Sequence, residues 1–445
     1  MGLEEQIAEW RGFVGRRPAI AAEDVDEMEA HLRDQVADLG RAGLSDDEAF
    51  LVSVKRMGSL DALSREFARE HSERLWKQLV LGGSDAGPKG SRRDIVVMLG
   101  FAVAAAVVVR LALALLPDAW VLRNVPVLVL PFLGGYLAWT RRISRSVLLV
   151  LIGAVAAVAL LLDLYPFDDA FDGGMTLPLA VAHAVVLVWF AVGVAYAGGA
   201  WCSDRRRMDF VRFTGEWVVY MALLALGGGA LVGLAAAMFN AIGTDPETVL
   251  GEWVLPMGAA GATVVAAWLV EAKQSVIENM APVLTRVFSP LTVLLLLAVL
   301  GAFVADGRLV HADRTLLIVT ALVLVLVLGL WLFAVSAREP TAPVGLFDWI
   351  LLVLLVCTLA VDAVVLAAML SRITEFGASA NKVTALGLNI VMLGNLIWST
   401  RLAVGFLRGT RTFAELERWQ TDYLPVYAAW AAFVVVAIPP IFGFA

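Results

Sequence analysis

Four polar residues stand inside long apolar runs: Arg110, His183, Asp362 and Asn389. Counted from the nearer end of its run, each lies about six or seven residues in, or roughly 9–11 Å deep at ~1.5 Å per residue. Ionisable groups in hydrocarbon are expensive, so each is a candidate for function. Asp362 paired with Arg110 or His183 would form a buried cluster able to bind a small polar ligand or relay protons. Alternatively, Arg110 reaches outward to the interface, and Asp362 and Asn389 make structural hydrogen bonds between helices. His183 taken alone reads as a packing residue. Toward the opposite surface, Glu216 and Arg401 form a second pair of interest. Glu216 follows Thr214-Gly215 and opens an apolar run, where a carboxylate suits the start of a helix.

No constellation of nucleophile, base and orienting group accompanies these residues. The sequence contains no P-loop, HExxH or GxSxG pattern and no paired Cys/His spacing. Its two cysteines, Cys202 and Cys357, read as small apolar fillers. The expectation is a protein that is not an enzyme and needs no cofactor or metal. Net charge is −7, with the negative excess concentrated in the first eighty or so residues. That balance argues against nucleic-acid binding, which needs clustered Lys and Arg.

The elements that hold the polar residues are read from hydropathy. The chain is 60% apolar and 17% charged, with a mean hydropathy of +0.81, against roughly 45–50% and about 25% in soluble domains. The excess falls in separate runs after Asp94, each near the ~20 residues needed to span ~30 Å of hydrocarbon. About eleven spans are expected, at 94–116, 124–140, 146–164, 176–200, 216–241, 253–271, 287–305, 315–336, 346–369, 383–405 and 423–443. Pro126 and Pro131 are expected to shorten or kink the second. Gly227-Gly228-Gly229 with Gly233 would permit a close helix approach or a hinge. Residues 273–288 and 411–421 are amphipathic. Each lies flat on the membrane surface or extends its neighbouring span. Arg92, Arg93, Arg141, Arg142, Arg205, Arg206, Arg207, Arg338 and Arg408 fall on one side of this layout. The rule that positive loops stay inside makes that side cytoplasmic, with the N-terminus inside and the C-terminus outside. No cleaved secretory signal is expected, because the first apolar run starts only near Ile95.

Residues 1–81 read as a bundle of about four helices. Ile7, Trp10 and Val14 share a face of the first, which Pro18 stops. Val25, Met28, Leu32, Val36 and Leu39 form a stripe on the second, closed by Gly43. Ser45 with Glu48 is a capping box for the third, which carries Phe50, Val54 and Met57 and ends at Gly58. Ser59 caps a fourth helix running toward Trp76. Asp24, Asp26, Glu27, Asp34 and Asp38 form an acidic face, either solvated or a docking surface. Residues 82–93 read as a flexible linker rich in Gly and Ser, and residues 94–445 as the transmembrane domain.

Two segments carry resemblances. The run EMEAHLRDQVADLGRAGLSDDEAFLVSVKRMGSLDALSREFAREH resembles the bacterial permease prefix domain, related to the HAAS-type signalling domain. The resemblance rests on His31-Leu32-Arg33-Asp34, the Gly43-Leu44-Ser45 turn, Glu48-Ala49-Phe50 and Met57-Gly58-Ser59 leading to Phe67. It implies a module placed before polytopic membrane segments and a partner of the PadR regulator type. The run LSRITEFGASANKVTALGLNIVMLGNLIW, followed by LERWQTDYLPVYAAW, resembles a bacterial integral-membrane family of unknown function. Here Arg372, Glu375, Asn381, Asn389 and Asn395 carry the pattern, which makes Arg372, Glu375 and Asn381 further site candidates. The expected fold is all-α: a small cytoplasmic helical bundle followed by a polytopic transmembrane bundle in a bacterial inner membrane. The functions that fit are a regulatory or signalling membrane protein or, alternatively, a permease of a small solute. The lipid bilayer is the implied environment, and the chain could form homo-oligomers.

Overall fold

The computed structural model describes residues 3–14, 22–41, 44–57, 92–167, 174–241, 245–272, 280–306 and 314–444. The expected fourth helix from Ser59, the linker over 82–91, the stops at Pro18, Gly43 and Gly58, and residues 273–279 lie outside them. The chain divides into two compact units, Met1–Ser91 and Arg92–Ala445. Every regular element among the described residues is helical.

In the first unit, α1 spans Leu3–Val14, α2 Ala22–Arg41 and α3 Asp46–Met57. Ile7, Trp10, Leu32, Val36, Ala49, Phe50 and Val54 bury together. Ser45 and Glu48 start α3: the Ser45 amide and hydroxyl both donate to Glu48 Oε2, at 3.1 and 2.8 Å. The backbone bond from Ser45 holds the Glu48 carboxyl below its ordinary value. Gln6 donates to Asp47 at 2.6 Å, joining α1 to α3. Arg11 and Arg33 both pair with Glu29, and Arg33 reaches Glu4 at 2.6 Å. Hydrogen bonds from Arg11 and then Arg33 lower the Glu29 carboxyl, and Arg33 lowers that of Glu4.

The second unit contains α4 (Arg92–Leu115), α5 (Asp118–Thr140), α6 (Arg145–Leu164), α7 (Thr176–Tyr196) and α8 (Asp204–Ala241). A short α9 (Glu247–Val249) passes through a π turn, Leu250–Val254, into α10 (Leu255–Ala272). Then follow α11 (Met280–Asp306), α12 (Arg314–Ala337), α13 (Leu346–Phe376), α14 (Ala380–Leu407), α15 (Phe413–Val436) and α16 (Ile438–Ile441). Eight of the described helices are long and apolar enough to cross a membrane, the architecture of an integral membrane protein. The apolar stretches Thr285–Gly301 and Ala321–Ala337 are shorter, and α15 is not among the eight.

Small residues set the closest contacts. Ala102, Ala105, Ala106, Val109 and Ala112 form the buried stripe of α4. A methyl added at Gly261 of α10 would sit 3.5 Å from the Ala102 carbonyl. On α7, Ala180, Ala184, Val188 and Val192 recur every fourth residue against Leu133 and Leu137 of α5. A second core joins α11–α15 to the start of α8 through Met208, Leu296, Val327, Leu354 and Leu396.

Several expectations are corrected. Pro126 and Pro131 lie inside an unbroken 23-residue α5, so neither proline shortens the helix. Glu216 is no helix start, because α8 begins twelve residues earlier at Asp204. Among the described residues no neighbouring atom lies within 4 Å of a methyl placed at Gly227, Gly228, Gly229 or Gly233, so these glycines make no close approach there. No residue from Met221 to Asn240 is buried. Of the two readings of residues 411–421, extension of the neighbouring span holds for residues 413–421. They are the first turns of α15, capped by Thr412 with Glu415, and Phe413 and Leu416 pack into the second core.

Candidate functional site

The α13–α14 hairpin turns at Gly377, whose φ of 74° favours glycine. Beneath this turn, α7, α12, α13 and α14 enclose a cavity of about 390 Å³. That volume falls in the ~300–1,000 Å³ range of small-molecule sites. Each helix presents residues at helical spacing: Leu179 and His183 from α7, Leu322 and Val325 from α12, Met369 and Arg372 from α13. From α14 come Asn381, Lys382, Thr384, Ala385, Leu388, Asn389 and Met392.

The cavity therefore gathers four of the residues singled out from the sequence: His183, Asn389, Arg372 and Asn381. His183 Nδ1 lies 2.8 Å from the Leu179 carbonyl. The proton on Nδ1 donates there, which leaves Nε2 as the acceptor. Asn389 and Thr384 are 1% and 2% exposed, and Asn389 Nδ2 and Thr384 Oγ1 have no hydrogen-bond partner among the described residues. Asn381 is used locally: its Oδ1 accepts from Ser379 Oγ and from the Lys382 amide. Lys382 Nζ donates to the Gly377 carbonyl at 2.9 Å, and the Arg372 guanidinium lies 5.7 Å from the centre of the Phe376 ring. Glu375 is exposed and does not line the cavity.

Arg110 and Asp362 stand apart from this group. Arg110 turns toward the π turn, where it lies 3.8 Å from Glu252 and stacks 4.1 Å from the Trp253 ring centre. The expected pairing with Asp362 is not formed, because α4 packs on α5 and α10 whereas α13 packs on α11, α12 and α14. Asp362 is 1% exposed, and neither carboxyl oxygen has a hydrogen-bond partner among the described residues. It lies seven residues from Met369 on α13, about 10 Å farther from the turn.

At the other helix ends, Glu216 lines a polar pocket of about 190 Å³. Arg141, Arg206 and Arg212 there face Asp209, Glu216 and Glu271, with Arg141 bonded to Glu271 at 2.9 Å. Its charges balance within the protein. Arg401 does not meet Glu216; it is exposed and lies 4.8 Å from the Trp398 ring centre. A third group, Asn395 with Ser399, Trp419, Gln420 and Tyr427, ties α14 to α15 by hydrogen bonds of 2.7–3.2 Å. A network this well satisfied is a structural clasp.

Sequence reasoning missed Thr384 and Lys382 as site residues. The signal was available in the spacing of Asn381, Thr384, Leu388 and Met392, which marks one face of α14.

No protein-family model, curated protein or solved structure matches this chain.

Proposed function

We propose that this protein is a regulatory membrane protein. Its membrane unit binds a small ligand in the α7–α12–α13–α14 cavity. Its N-terminal helical unit, on the cytoplasmic side, engages a protein partner. The observation that carries this reading is a cavity of ligand size holding two buried polar atoms without partners among the described residues. Such atoms cost free energy until something bonds to them. A binding role also accords with the absence, in the sequence, of any nucleophile-and-base arrangement.

The resemblance of residues 20–71 to the permease prefix domain names the partner class, a PadR-type regulator. The test compares the full chain with one lacking residues 1–81, both purified from native membranes. A PadR-type regulator is expected to co-purify with the first only, in an amount altered by the cavity-filling change Ala385→Trp. Identical co-purification profiles for the two chains would remove the signalling reading.

One observation favours the alternative, transport of a small solute. Asp362 is a buried carboxyl without a bonding partner among the described residues, on a helix that lines the cavity. Solute binding that moves a proton in weakly buffered solution, and ceases to do so in Asp362→Asn, would select transport over sensing.

A further inference from the structure

We infer that the cavity takes a neutral glyceride of the diacylglycerol type from the bilayer, with its hydroxyl between Thr384 and His183 and an ester carbonyl at Asn389. This rests on reading the cavity as a ligand site and adds the ligand's chemistry and source.

Three features of the cavity support the inference. The first is a pair of unused donors. Asn389 lines the cavity and is buried, and its Nδ2 has no acceptor among the described residues. The other buried asparagines of the described membrane helices are served. Asn124 Nδ2 donates to Trp120 and Asp163, and Asn395 Nδ2 to Gln420 and Tyr427. Thr384 differs from its kind in the same way. Thr140, Thr214, Thr292, Thr358 and Thr400 each donate to the carbonyl four residues earlier, whereas Thr384 Oγ1 bonds to nothing among the described residues. The second feature is an acceptor in the same cavity. His183 commits Nδ1 to the Leu179 carbonyl, so Nε2 of the neutral ring accepts. The lining therefore suits a ligand that both accepts and donates. A hydroxyl accepts from Thr384 Oγ1 and donates to His183 Nε2, and an ester carbonyl accepts from Asn389 Nδ2. A hydrocarbon chain does neither, and a quinone lacks the donor. The third feature is order in depth. Leu179 and Val383, each three residues into its helix, pack in one cluster with Ala380, which sets the starts of α7 and α14 level. From there Thr384, His183 and Asn389 lie roughly 6, 10 and 13 Å in, at ~1.5 Å per residue. A glyceride standing in a leaflet presents its hydroxyl outermost, its esters next and its chains deepest. Its chains enter sideways, past Leu322 and Val325 of α12, which line the cavity and are 63% and 46% exposed.

The experiment uses the full chain in phosphatidylcholine nanodiscs that hold equal small amounts of three glycerides. These are a diacylglycerol, its O-methyl ether, which lacks the donor, and a dialkylglycerol, which lacks the carbonyls. The protein is transferred to a maltoside detergent, and retained glyceride is extracted and quantified by mass spectrometry. Diacylglycerol should be retained over each of the other two by roughly two- to tenfold, the worth of one hydrogen bond. His183→Phe should abolish discrimination against the methyl ether and keep that against the dialkylglycerol. Asn389→Leu should do the reverse, a crossed pattern that a merely structural role would not produce. Where either variant fails to fold, the wild-type ratios decide. Equal retention of all three, lost in the cavity-filling Ala385→Trp, would overturn the glyceride assignment and leave the ligand site standing. So would stronger retention of phosphatidylglycerol than of diacylglycerol in mixed nanodiscs, in favour of a charged headgroup. A protein that retains none of these lipids, and whose melting temperature responds to none, would remove the ligand-site reading itself.

Discussion

Asp362 and Asn395 sit at matching levels of the α13–α14 hairpin with opposite surroundings. Asp362 lies 14 residues before Phe376, and Asn395 lies 15 residues after Ala380. The Asn395 amide bonds to four side chains of α14 and α15, whereas the Asp362 carboxyl bonds to none among the described residues. Removing one member of a satisfied network strands the others, at a cost of about 1–3 kcal/mol. Removing an unpaired charge-bearing group relieves a burial cost instead. Asn395→Leu should therefore lower the melting temperature in detergent, and Asp362→Asn should leave it unchanged or raise it. A large loss of stability in Asp362→Asn would mean that the carboxyl has a partner in the folded protein. Of the polar residues in the apolar runs, the sequence revealed depth but not neighbours. His183 and Asn389 share a cavity, while Arg110 at similar depth turns to Glu252. That contact depends on the π turn at Leu250–Val254, which no periodicity in the sequence announces.

Helix ends and crossings are the next level. Gly215 of α8 faces Phe333 of α12 so closely that an added methyl would lie 2.3 Å from the ring. Gly215→Ala should destabilise the second unit by about 1–3 kcal/mol, as overpacking does. Phe333→Leu introduced alongside should restore part of the loss, and a double-mutant thermal series measures it. In the first unit, the carboxyls of Glu4, Glu29 and Glu48 are all held below their ordinary value. A carboxyl whose folded-state value is depressed stabilises the fold above its unfolded value and loses that contribution as the pH falls through the folded one. The melting temperature of residues 1–91 should accordingly stay level at neutral pH and decline below about pH 4.3. Glu29→Gln, which removes the carboxylate shared by Arg11 and Arg33, should flatten that decline. A melt independent of pH would show that these ion pairs contribute nothing. The Ser45–Glu48 cap was legible because it is a local pattern of two residue types three positions apart. The extent of α8 and α15 was not. Their first turns are polar, and what holds them helical is packing of Arg207–Tyr220 and of Phe413 and Leu416 against distant elements.

For the whole molecule, charge on the loops that connect the helices of the second unit carries the proposed orientation. The native thiols provide a probe. Cys202, between α7 and α8, is exposed, and Cys357 is buried in α13. A membrane-impermeant maleimide should label Cys202 only after permeabilisation. A cysteine introduced at Ala378, in the α13–α14 turn of a Cys202→Ser chain, should be labelled on intact cells. The reverse pattern would invert the proposed topology. The arginine counts supply an orientation that the labelling tests, and the all-α architecture was readable from the apolar runs. The cavity was not, because four helices separated widely in sequence build it. The length of α8 has a mechanical consequence. Its 38 residues extend about 57 Å, nearly twice the ~30 Å of a hydrocarbon core. One half is anchored by buried contacts, and the other, from Met221 to Asn240, is bare of them. Met221 and Leu224 pack partly against the first core, and beyond them the exposed apolar side chains of that half are left to the lipid. A change in bilayer thickness would therefore act on α8 through that far end, with Arg207–Tyr220 held in the protein.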